Sequence, residues 1–569
     1  MLLCSSKPLD NTADLHHNQG MTAAAVQQEL VLRLREDLTW RRMGSGLRVL
    51  EEHRSLLECI GPERPGATIL LGYLAQWVDA GFESPALVRG LLARFSKESR
   101  IHLPLIEYLH LGMAEALVAM ADEDFEGAVT SLRFVESVEQ QLRDNELLAL
   151  CSFWIGRCLR RLGRYDDALG FTVKARDLAL GNGQDRVAAL MRINESWLMF
   201  QKGRIAEATG ILDEVADVLG GTDDYVALGN IQSAYGRIAR RQGRHDRALE
   251  HFARAIEYYG RRDANHSNLA RSRTNIAWVK RLTALQLQKR IDDESARRKA
   301  ASQHDAAARA RLTLERAQLE RLRGDAFFEL DEAERIYSRT DNHRGVGAVR
   351  INRGFLHLDA GEIDLAEAEA AAAYELCEEK RDYIPMARAR ILQCMVENVR
   401  YEEQIADSAE LHRHAQRAHE FARDAVELAA RTQNRRLLAR AFVWQGLTFT
   451  NGFFNNPEAA RQCCDQASAL LRPEGHEFLW DDLQDLRTRI LRKARVETVL
   501  QEWSQGLVGE KTFQQIEEEF AGIVIPRVWE REGRKVSRVA EKLSVSPKKV
   551  RRVLQAAGLM DSVQVHKAE

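Results

Sequence analysis

GRYDDA, at residues 163–168, recurs as GRIAEA at 203–208 and as GRHDRA at 243–248. The alanines that end these hexapeptides, and a fourth at Ala128, are each 40 residues apart. A further copy, GEIDLA, ends at Ala366. Self-similarity at a fixed period of this length indicates one supersecondary unit that is stacked several times. The sequence therefore predicts an array of repeats as the body of the protein.

Each unit is predicted to contain a helix, a tight turn and a second helix. In one unit, the small residue Gly236 lies on the first helix, and Ala248, Phe252 and Ala255 follow on the second. Two antiparallel helices approach closely only where small side chains meet. The same order of small residues recurs at Gly156, Ala168 and Ala175, and at Gly354, Ala366 and Ala373. Because one such unit cannot bury its apolar face alone, the units must stack in order to fold.

This spacing of small and large residues resembles the tetratricopeptide-repeat family. The period of 40 residues exceeds the roughly 34 that is usual there, and it is similar to the variant in large bacterial regulatory proteins with a sensor superhelix. The resemblance implies an all-α superhelix whose concave surface binds a protein, a peptide or a small molecule. We assign the array to residues 23–475, after residues 1–22, which are polar and expected to be disordered.

Residues 281–329 are highly charged and rich in alanine. We expect unusually long helices of one repeat pair here. A projecting coiled coil is the alternative, although the apolar residues are too sparse for sustained heptads. A capping helix and a linker are assigned to residues 476–503.

A different pattern occupies residues 504–569. A short helix is predicted for 536–543 and a second one for 547–557. Ser546 has the side chain of an N-cap, and Pro547 suits the first helical position. On the second helix, the residues expected to pack are Val550, Val553, Leu554 and Ala557. The other face of this helix is cationic.

Charge separates this tail from the body. From Gly533 to Glu569, nine Lys and Arg residues and three acids give a formal charge of +6, whereas the remainder carries −8. A basic module on an acidic body is typical of proteins that bind phosphate. The tail resembles the Fis-type helix-turn-helix of bacterial enhancer-binding activators, and the matching residues are Ala540, Leu543, Val545, Val550, Arg551, Arg552, Leu554, Gly558 and Leu559. Where that family usually has glycine in the turn, this chain has Ser544.

The resemblance implies binding to double-stranded DNA. The residues expected to hold phosphates are Lys535, Arg538, Lys542, Arg551 and Arg552, and those expected at base edges are Ser546, Lys548 and Lys549. In the family, the helices before the helix-turn-helix form a dimer contact. The corresponding apolar residues here are Phe513, Ile516, Phe520, Ile523, Val528 and Trp529. They would support a homodimer, or they would pack within the module or on the last repeat. RNA polymerase is a further expected partner.

Enzyme chemistry is not expected. The chain has no GxxxxGK[ST] loop, so the ATPase of the enhancer-binding activators is absent. The histidines at 412, 414 and 419 lack the spacing of a metal site, and we expect no metal and no cofactor. The eight cysteines show no CxxC motif and indicate buried thiols in a reducing cytosol. No segment reaches the ~18 apolar residues that span a bilayer, so a cytoplasmic protein without membrane contact is expected.

The sequence thus predicts an all-α bacterial transcriptional regulator, with a signal-binding tetratricopeptide-like superhelix and a C-terminal DNA-binding module. The alternative is a repeat scaffold for protein–protein interaction. In that case, the basic tail would dock an acidic partner and would have no role on DNA.

Overall fold

The described part of the chain is built from helices alone, and the predicted all-α class is confirmed. The structure is a computed structural model that describes residues 23–82, 84–138, 144–301, 306–340, 342–403, 407–471, 478–504 and 511–560. Residues 1–22, which the sequence predicts to be disordered, lie outside the described residues. No helix in the described ranges is long and apolar enough to cross a membrane.

Six helices precede the regular array. They are α1 Ala23–Trp40, α2 Met43–Glu52, α3 Arg54–Glu58, α4 Ala67–Asp79, α5 Pro85–Leu92 and α6 Lys97–Ile101. Their apolar side chains join those of the first repeats in one hydrophobic core.

Eight antiparallel helix pairs follow. The first four are α7 Leu105–Ala121 with α8 Phe125–Ser137, α9 Asn145–Arg161 with α10 Tyr165–Gly181, α11 Asp185–Gln201 with α12 Ile205–Leu219, and α13 Tyr225–Arg241 with α14 His245–Arg262. The last four are α15 Ser267–Ala301 with α16 Ala306–Arg339, α17 His343–Ala360 with α18 Ile363–Glu379, α19 Tyr383–Glu403 with α20 Ser408–Ala430, and α21 Arg435–Phe449 with α22 Pro457–Leu471. Each pair stacks on the next, as expected for a tetratricopeptide-like superhelix.

The repeated hexapeptides form the turn and the start of the second helix of each pair. Their alanines, at 128, 168, 208, 248 and 366, are all fully buried where the two helices meet. Gly163, Gly203 and Gly243 open the turn with φ angles of 79°, 79° and 71°. Glycine adopts this left-handed conformation without the steric cost that a side chain brings. The repeat therefore encodes both the reversal of the chain and the close contact that follows it.

The close approach at Gly236 gives a stability prediction. A Cβ atom added there would lie 2.7 Å from the ring of Phe252, so the two helices must move apart. We expect Gly236→Ala to lower stability by about 1–3 kcal/mol. The matched control is Gly210→Ala, because a Cβ at Gly210 meets no atom within 4 Å, and this change should stabilise its helix by about 0.5–1 kcal/mol. Thermal unfolding followed by circular dichroism checks both, and equal melting temperatures would contradict the prediction.

The charged stretch lies within two long helices. α15 has 35 residues and α16 has 34, against 17 for α13. Their near ends pack with the neighbouring repeats. Farther along, a small separate core joins them, formed by Ala284, Leu287, Ile291, Leu312 and Leu319. The two helices thus belong to the array as one pair and extend beyond the other pairs.

Residues far apart in sequence close the superhelix on itself. The Gln433 N–H donates to the carbonyl oxygen of Gly163 at 2.8 Å, and its Oε1 accepts from the Asp166 N–H at 2.6 Å. The Asn434 Nδ2 donates to the Tyr165 hydroxyl at 3.3 Å. We call these five residues the clasp. They connect the turn between α9 and α10 to the turn between α20 and α21.

The N-terminal helices fold back onto the repeats. Arg41 and Asp224 form a buried ion pair at 2.6 Å. The Asp223 carboxylate accepts the backbone N–H groups of Met43 and Gly44, both at 2.7 Å. These contacts fix α1 and α2 against the N-terminus of α13.

Four further helices lie in the described residues 478–504 and 511–560: α23 Phe478–Ser504, α24 Phe513–Arg531, α25 Val536–Lys542 and α26 Pro547–Ala556. α23 packs its apolar residues against α21 and α22 and covers the end of the array. Helices α24–α26, which we call the C-terminal module, have a hydrophobic core of their own. Its buried residues are Ala521, Ile525, Trp529, Val539, Ala540, Val550, Val553 and Leu554.

Helix α24 continues through Gly522 and Pro526 to Arg531, although both residue types disfavour the interior of a helix. Proline removes one hydrogen bond and costs a helix about 3 kcal/mol, yet buried Ala521 before it and buried Trp529 after it hold both halves on the core. Ala557, expected to pack, is exposed because it is the C-cap, where the chain leaves the helix.

Candidate binding cavity and C-terminal basic surface

A cavity of about 290 Å³ lies inside the superhelix. Its walls come from the first helices of successive pairs, α7, α9, α11, α13 and α15, and from α1 and α4. The second helices of these pairs do not line it, because they form the outer layer. The volume lies near the lower end of the range for sites that bind small molecules.

Four arginines line one side of this cavity: Arg160, Arg161, Arg237 and Arg271. We call them the arginine cluster. Two neighbours have carboxylate partners, since Arg157 pairs with Asp79 and Arg344 pairs with Asp382 at 2.9 Å. Within the described ranges, no member of the cluster has such a partner. The cavity therefore holds several positive charges that are not neutralised.

The cluster is electrostatically unfavourable without a counter-charge. Burial lowers the pKa of Arg160 well below its usual range, and repulsion from Arg161 and Arg271 adds to this. Burial, followed by repulsion from neighbouring arginines, lowers the pKa of Arg161 and of Arg237 to about 9 each. The Arg161 side chain nevertheless remains in contact with water, because it lies in the lumen of the superhelix.

Hydrogen bonds and ring contacts fix the cluster in place. The Arg160 guanidinium lies over the Trp197 ring, 5.0 Å from its centre. The Arg271 Nη2 donates to Asn230 Oδ1 at 3.1 Å, and the Tyr259 hydroxyl donates to the same oxygen at 2.9 Å. The Arg271 Nε is buried and has no hydrogen-bond partner among the described residues. These guanidinium groups therefore retain donors for a ligand.

Two histidines that line the cavity are held in the neutral form. Burial lowers the pKa of His110 to about 4. Burial and then the charge of Arg271 lower the pKa of His266 to about 4 as well. Both imidazoles are consequently uncharged at neutral pH and add no further positive charge to the arginine cluster.

The His110 shift predicts how stability changes with acidity. The folded pKa of about 4 lies below the ordinary 6.5, so the unfolded chain binds more protons between these values and stability falls as the pH falls through that window. The expected loss is up to about 3 kcal/mol at the acid end. His110→Leu should remove this part of the pH dependence. Chemical denaturation of both proteins from pH 7 to about 4.5 measures it, and parallel curves would refute the prediction.

The arginine cluster was not predicted from the sequence. Arg160-Arg161 precedes Gly163 by the same offset as Arg240-Arg241 precedes Gly243, yet Arg240 and Arg241 do not line the cavity. Periodicity shows that these arginines occupy equivalent places, but only the curvature of the array brings residues of α9, α13 and α15 to one cavity.

In the described ranges, no group of three or more His, Cys, Asp or Glu side chains is arranged to hold a metal ion. His414 contacts the buried Glu397, with Nδ1 2.5 Å from Oε2. Six cysteines are buried as expected, but Cys59 is exposed.

The predicted DNA-binding residues lie on α25, on α26 and in the turns beside them. Ser546 caps α26 by accepting the Lys549 N–H at 3.2 Å. Ser544 occupies the turn with φ of 50°. Four cations are exposed and have no ion pair among the described residues, namely Lys535, Arg538, Lys548 and Arg551.

The other three cations pair with acids of their own module. Lys549 contacts Glu517 at 2.5 Å, and Arg552 contacts Glu518 at 3.4 Å. Lys542 pairs with Glu532, which belongs to the turn after α24. All three pairs are solvent-accessible, and such pairs contribute about 1 kcal/mol or less.

The apolar residues considered for a dimer contact divide into two groups. Trp529 is 9% exposed and belongs to the core of the module. Phe513 and Phe520 are 81% and 48% exposed, and Ile516 between them is partly buried. The first half of α24 therefore presents an apolar face that the module itself does not cover.

The architecture defines the class of protein: a tetratricopeptide-like helical-repeat superhelix. A family model of the tetratricopeptide repeat matches residues 227–290, which cover most of α13, all of α14 and the first part of α15. The comparison with curated proteins found no match.

Several solved structures are similar to the chain. A Rap protein complexed with competence and sporulation factor is 10% identical over 71% of this chain and 99% of its own, with a TM-score of 0.47. The human IFIT1 dimer with m7Gppp-AAAA is 14% identical over 80% of this chain and 91% of its own, with a TM-score of 0.42. The apo form of the quorum sensor NprR from B. thuringiensis is 11% identical, covers 78% of this chain and 98% of its own, and has a TM-score of 0.41.

Proposed function

We propose that this protein is a transcriptional regulator in which the C-terminal module binds duplex DNA and the repeat superhelix binds a controlling signal. The observation that carries the DNA-binding half is the composition of α26. One face of this helix is buried in the core of the module, and Arg551 and Arg552 lie exposed on the other. A short, capped helix of this kind, after a second short helix and a tight turn, suits the major groove.

The proposed contacts fall into two groups. Phosphates can bind directly to Lys535, Arg538 and Arg551, which have no ion pair among the described residues. Lys542 and Arg552 become available when a phosphate replaces the carboxylate that each one contacts. Exposed ion pairs of about 1 kcal/mol or less do not prevent this exchange. Ser546, Lys548 and Lys549 lie at the N-terminal end of α26, the part of a recognition helix that approaches base edges.

A homodimer fits the same proposal. The exposed Phe513 and Phe520 would be covered by a second copy, and two modules would address half-sites about 34 Å apart. RNA polymerase is a further proposed partner. The proposed activity is binding, without a catalytic step, a metal or a cofactor.

The cavity supplies the signal-binding half of the proposal. It lies among the first helices of five repeat pairs, so a ligand there contacts several repeats at once. Binding energy gained at these helices changes how the repeats stack, because each pair is held mainly by its neighbours. This half of the proposal does not depend on which class of ligand occupies the cavity.

Truncation tests where the DNA-binding activity resides. We expect the full chain to bind duplex DNA in an electrophoretic mobility assay, and a chain that ends at Ser504 to lose that binding. The truncated array should keep its helical circular dichroism, since α24–α26 have a separate core. Equal DNA binding by both chains would contradict the assignment to the C-terminal module.

A repeat scaffold remains the second candidate. Glu517 and Glu518 already hold Lys549 and Arg552, so the basic face accepts carboxylates as well as phosphates. A scaffold predicts binding to an acidic partner protein through this face. It also predicts no binding to duplex DNA at low salt, where a DNA-binding protein binds most tightly.

A further inference from the structure

We infer that the arginine cluster is the receptor site for a small multivalent anion, a ligand with phosphate or carboxylate groups that carries at least two negative charges. This inference names the ligand class for the signal-binding half of the proposed function. It stands independently of the DNA-binding half, because its test contains no DNA.

The charged side chains that line the cavity support this inference. The acids that line it are already engaged: Asp79 pairs with Arg157, Asp224 with Arg41, and Glu146 with Arg35 at 2.6 Å. Asp144 accepts the backbone N–H groups of Glu146 and Leu147 at the start of α9. Asp144 has no cationic partner among the described residues, so the charge left over is that of the four arginines of the cluster less that of one carboxylate, and it is positive.

The positions of the four arginines also support the inference. The four guanidinium groups come from α9, α13 and α15 and line one cavity, so a single ligand can contact them together. Guanidinium groups match phosphate and carboxylate oxygens with paired hydrogen bonds. An anion would satisfy these donors and would also remove the repulsion within the cluster.

The volume of the cavity limits the size of its ligand. A cavity of about 290 Å³ suits a small molecule. Its volume is too small to enclose an extended acidic peptide. Trp197, beneath Arg160, offers a flat apolar surface for the uncharged part of such a ligand.

Calorimetric titration of the full chain at low ionic strength tests the inference. The probes are inorganic pyrophosphate, tripolyphosphate and citrate, with sodium chloride as the reference. We expect saturable binding of one equivalent for at least one probe, and about tenfold weaker binding for each of Arg160→Gln and Arg237→Gln, because one charge-assisted contact is lost each time. Arg192→Gln is the matched control, since Arg192 pairs with Glu214 at 2.6 Å. It should bind like the unmodified chain.

Thermal unfolding distinguishes a variant that has lost the binding site from one that no longer folds. Without a ligand, Arg160→Gln and Arg237→Gln should unfold at the same temperature as the unmodified chain or at a higher one, because repulsion is relieved. Binding of the phosphate probes alone would identify phosphate as the recognised group, and binding of citrate alone would identify carboxylate. No saturable binding by any probe, or binding that both variants retain, would overturn the inference. So would binding of an acidic peptide when all three probes fail.

Discussion

Arg551→Glu with Arg552→Glu should reduce the affinity for duplex DNA by about 100-fold or more at fixed low salt. Both side chains lie on the exposed face of α26, where we propose that they hold phosphates. Each lost charge-assisted hydrogen bond costs about 1.5–3 kcal/mol, and the new carboxylates repel the backbone of the DNA. Fluorescence anisotropy with a labelled duplex measures the change.

The control must match the change in net charge. Arg247→Glu with Arg254→Glu makes the same change on α14, at two exposed positions on the outer helix of a repeat. We expect this variant to bind DNA within a few-fold of the unmodified chain, because only the long-range field is altered. Equal losses in both double variants would mean that net charge, and not the surface of α26, determines binding.

Gly163→Ala should destabilise the array more than the same substitution in any equivalent turn. The φ angle of 79° disfavours a side chain, which costs about 1 kcal/mol. A Cβ atom would also lie 2.9 Å from the Cβ of Thr432, across the clasp. Moving these two turns apart adds about 1–3 kcal/mol to the loss of folding free energy. It also breaks the contacts of the clasp, which close the superhelix.

Gly243→Ala isolates the contribution of the clasp. Gly243 occupies the same turn position with φ of 71°, but a Cβ there meets no atom within 4 Å. We expect it to show only the cost of the backbone conformation. Hydrogen exchange should accelerate at Gln433, whose N–H bonds to the Gly163 oxygen, in the Gly163 variant alone. Unchanged exchange at Gln433 would show that the clasp does not close the array.

The repeats could be predicted because their physical requirements are local. A left-handed turn favours glycine, and a close helix contact five residues later favours alanine, so Gly163 and Ala168 mark the unit in the sequence itself. The same holds for Ser546, which caps α26 from a position fixed by the helix that follows it. Fold class and the helices of the C-terminal module follow from such signals.

The remaining features depend on tertiary contacts. The clasp joins residues on either side of a whole turn of the superhelix, and no periodic signal links Gly163 with Gln433. The arginine cluster likewise arises from curvature that brings α9, α13 and α15 together. Helix α24 continues through Pro526 because packing outweighs local preference. Pairing of Lys549 with Glu517 depends on how α24 lies against α26.

The clasp and the cavity share a helix end. Arg161, in the arginine cluster, is the last residue of α9, and its carbonyl oxygen accepts from Arg344 Nη2 at 3.2 Å. Gly163, in the clasp, follows two residues later. An anion bound at the proposed site would hold the end of α9, two residues before Gly163 of the clasp. This would give the signal a physical route into the shape of the array.

DNA binding by the full chain over a salt series tests the central claim most directly. Each copy would neutralise about five phosphates through Lys535, Arg538, Lys542, Arg551 and Arg552. The logarithm of the association constant should then fall with the logarithm of the salt concentration with a slope of about −4.5 per copy. No binding at low salt, or an affinity that salt leaves unchanged, would contradict a DNA-binding regulator.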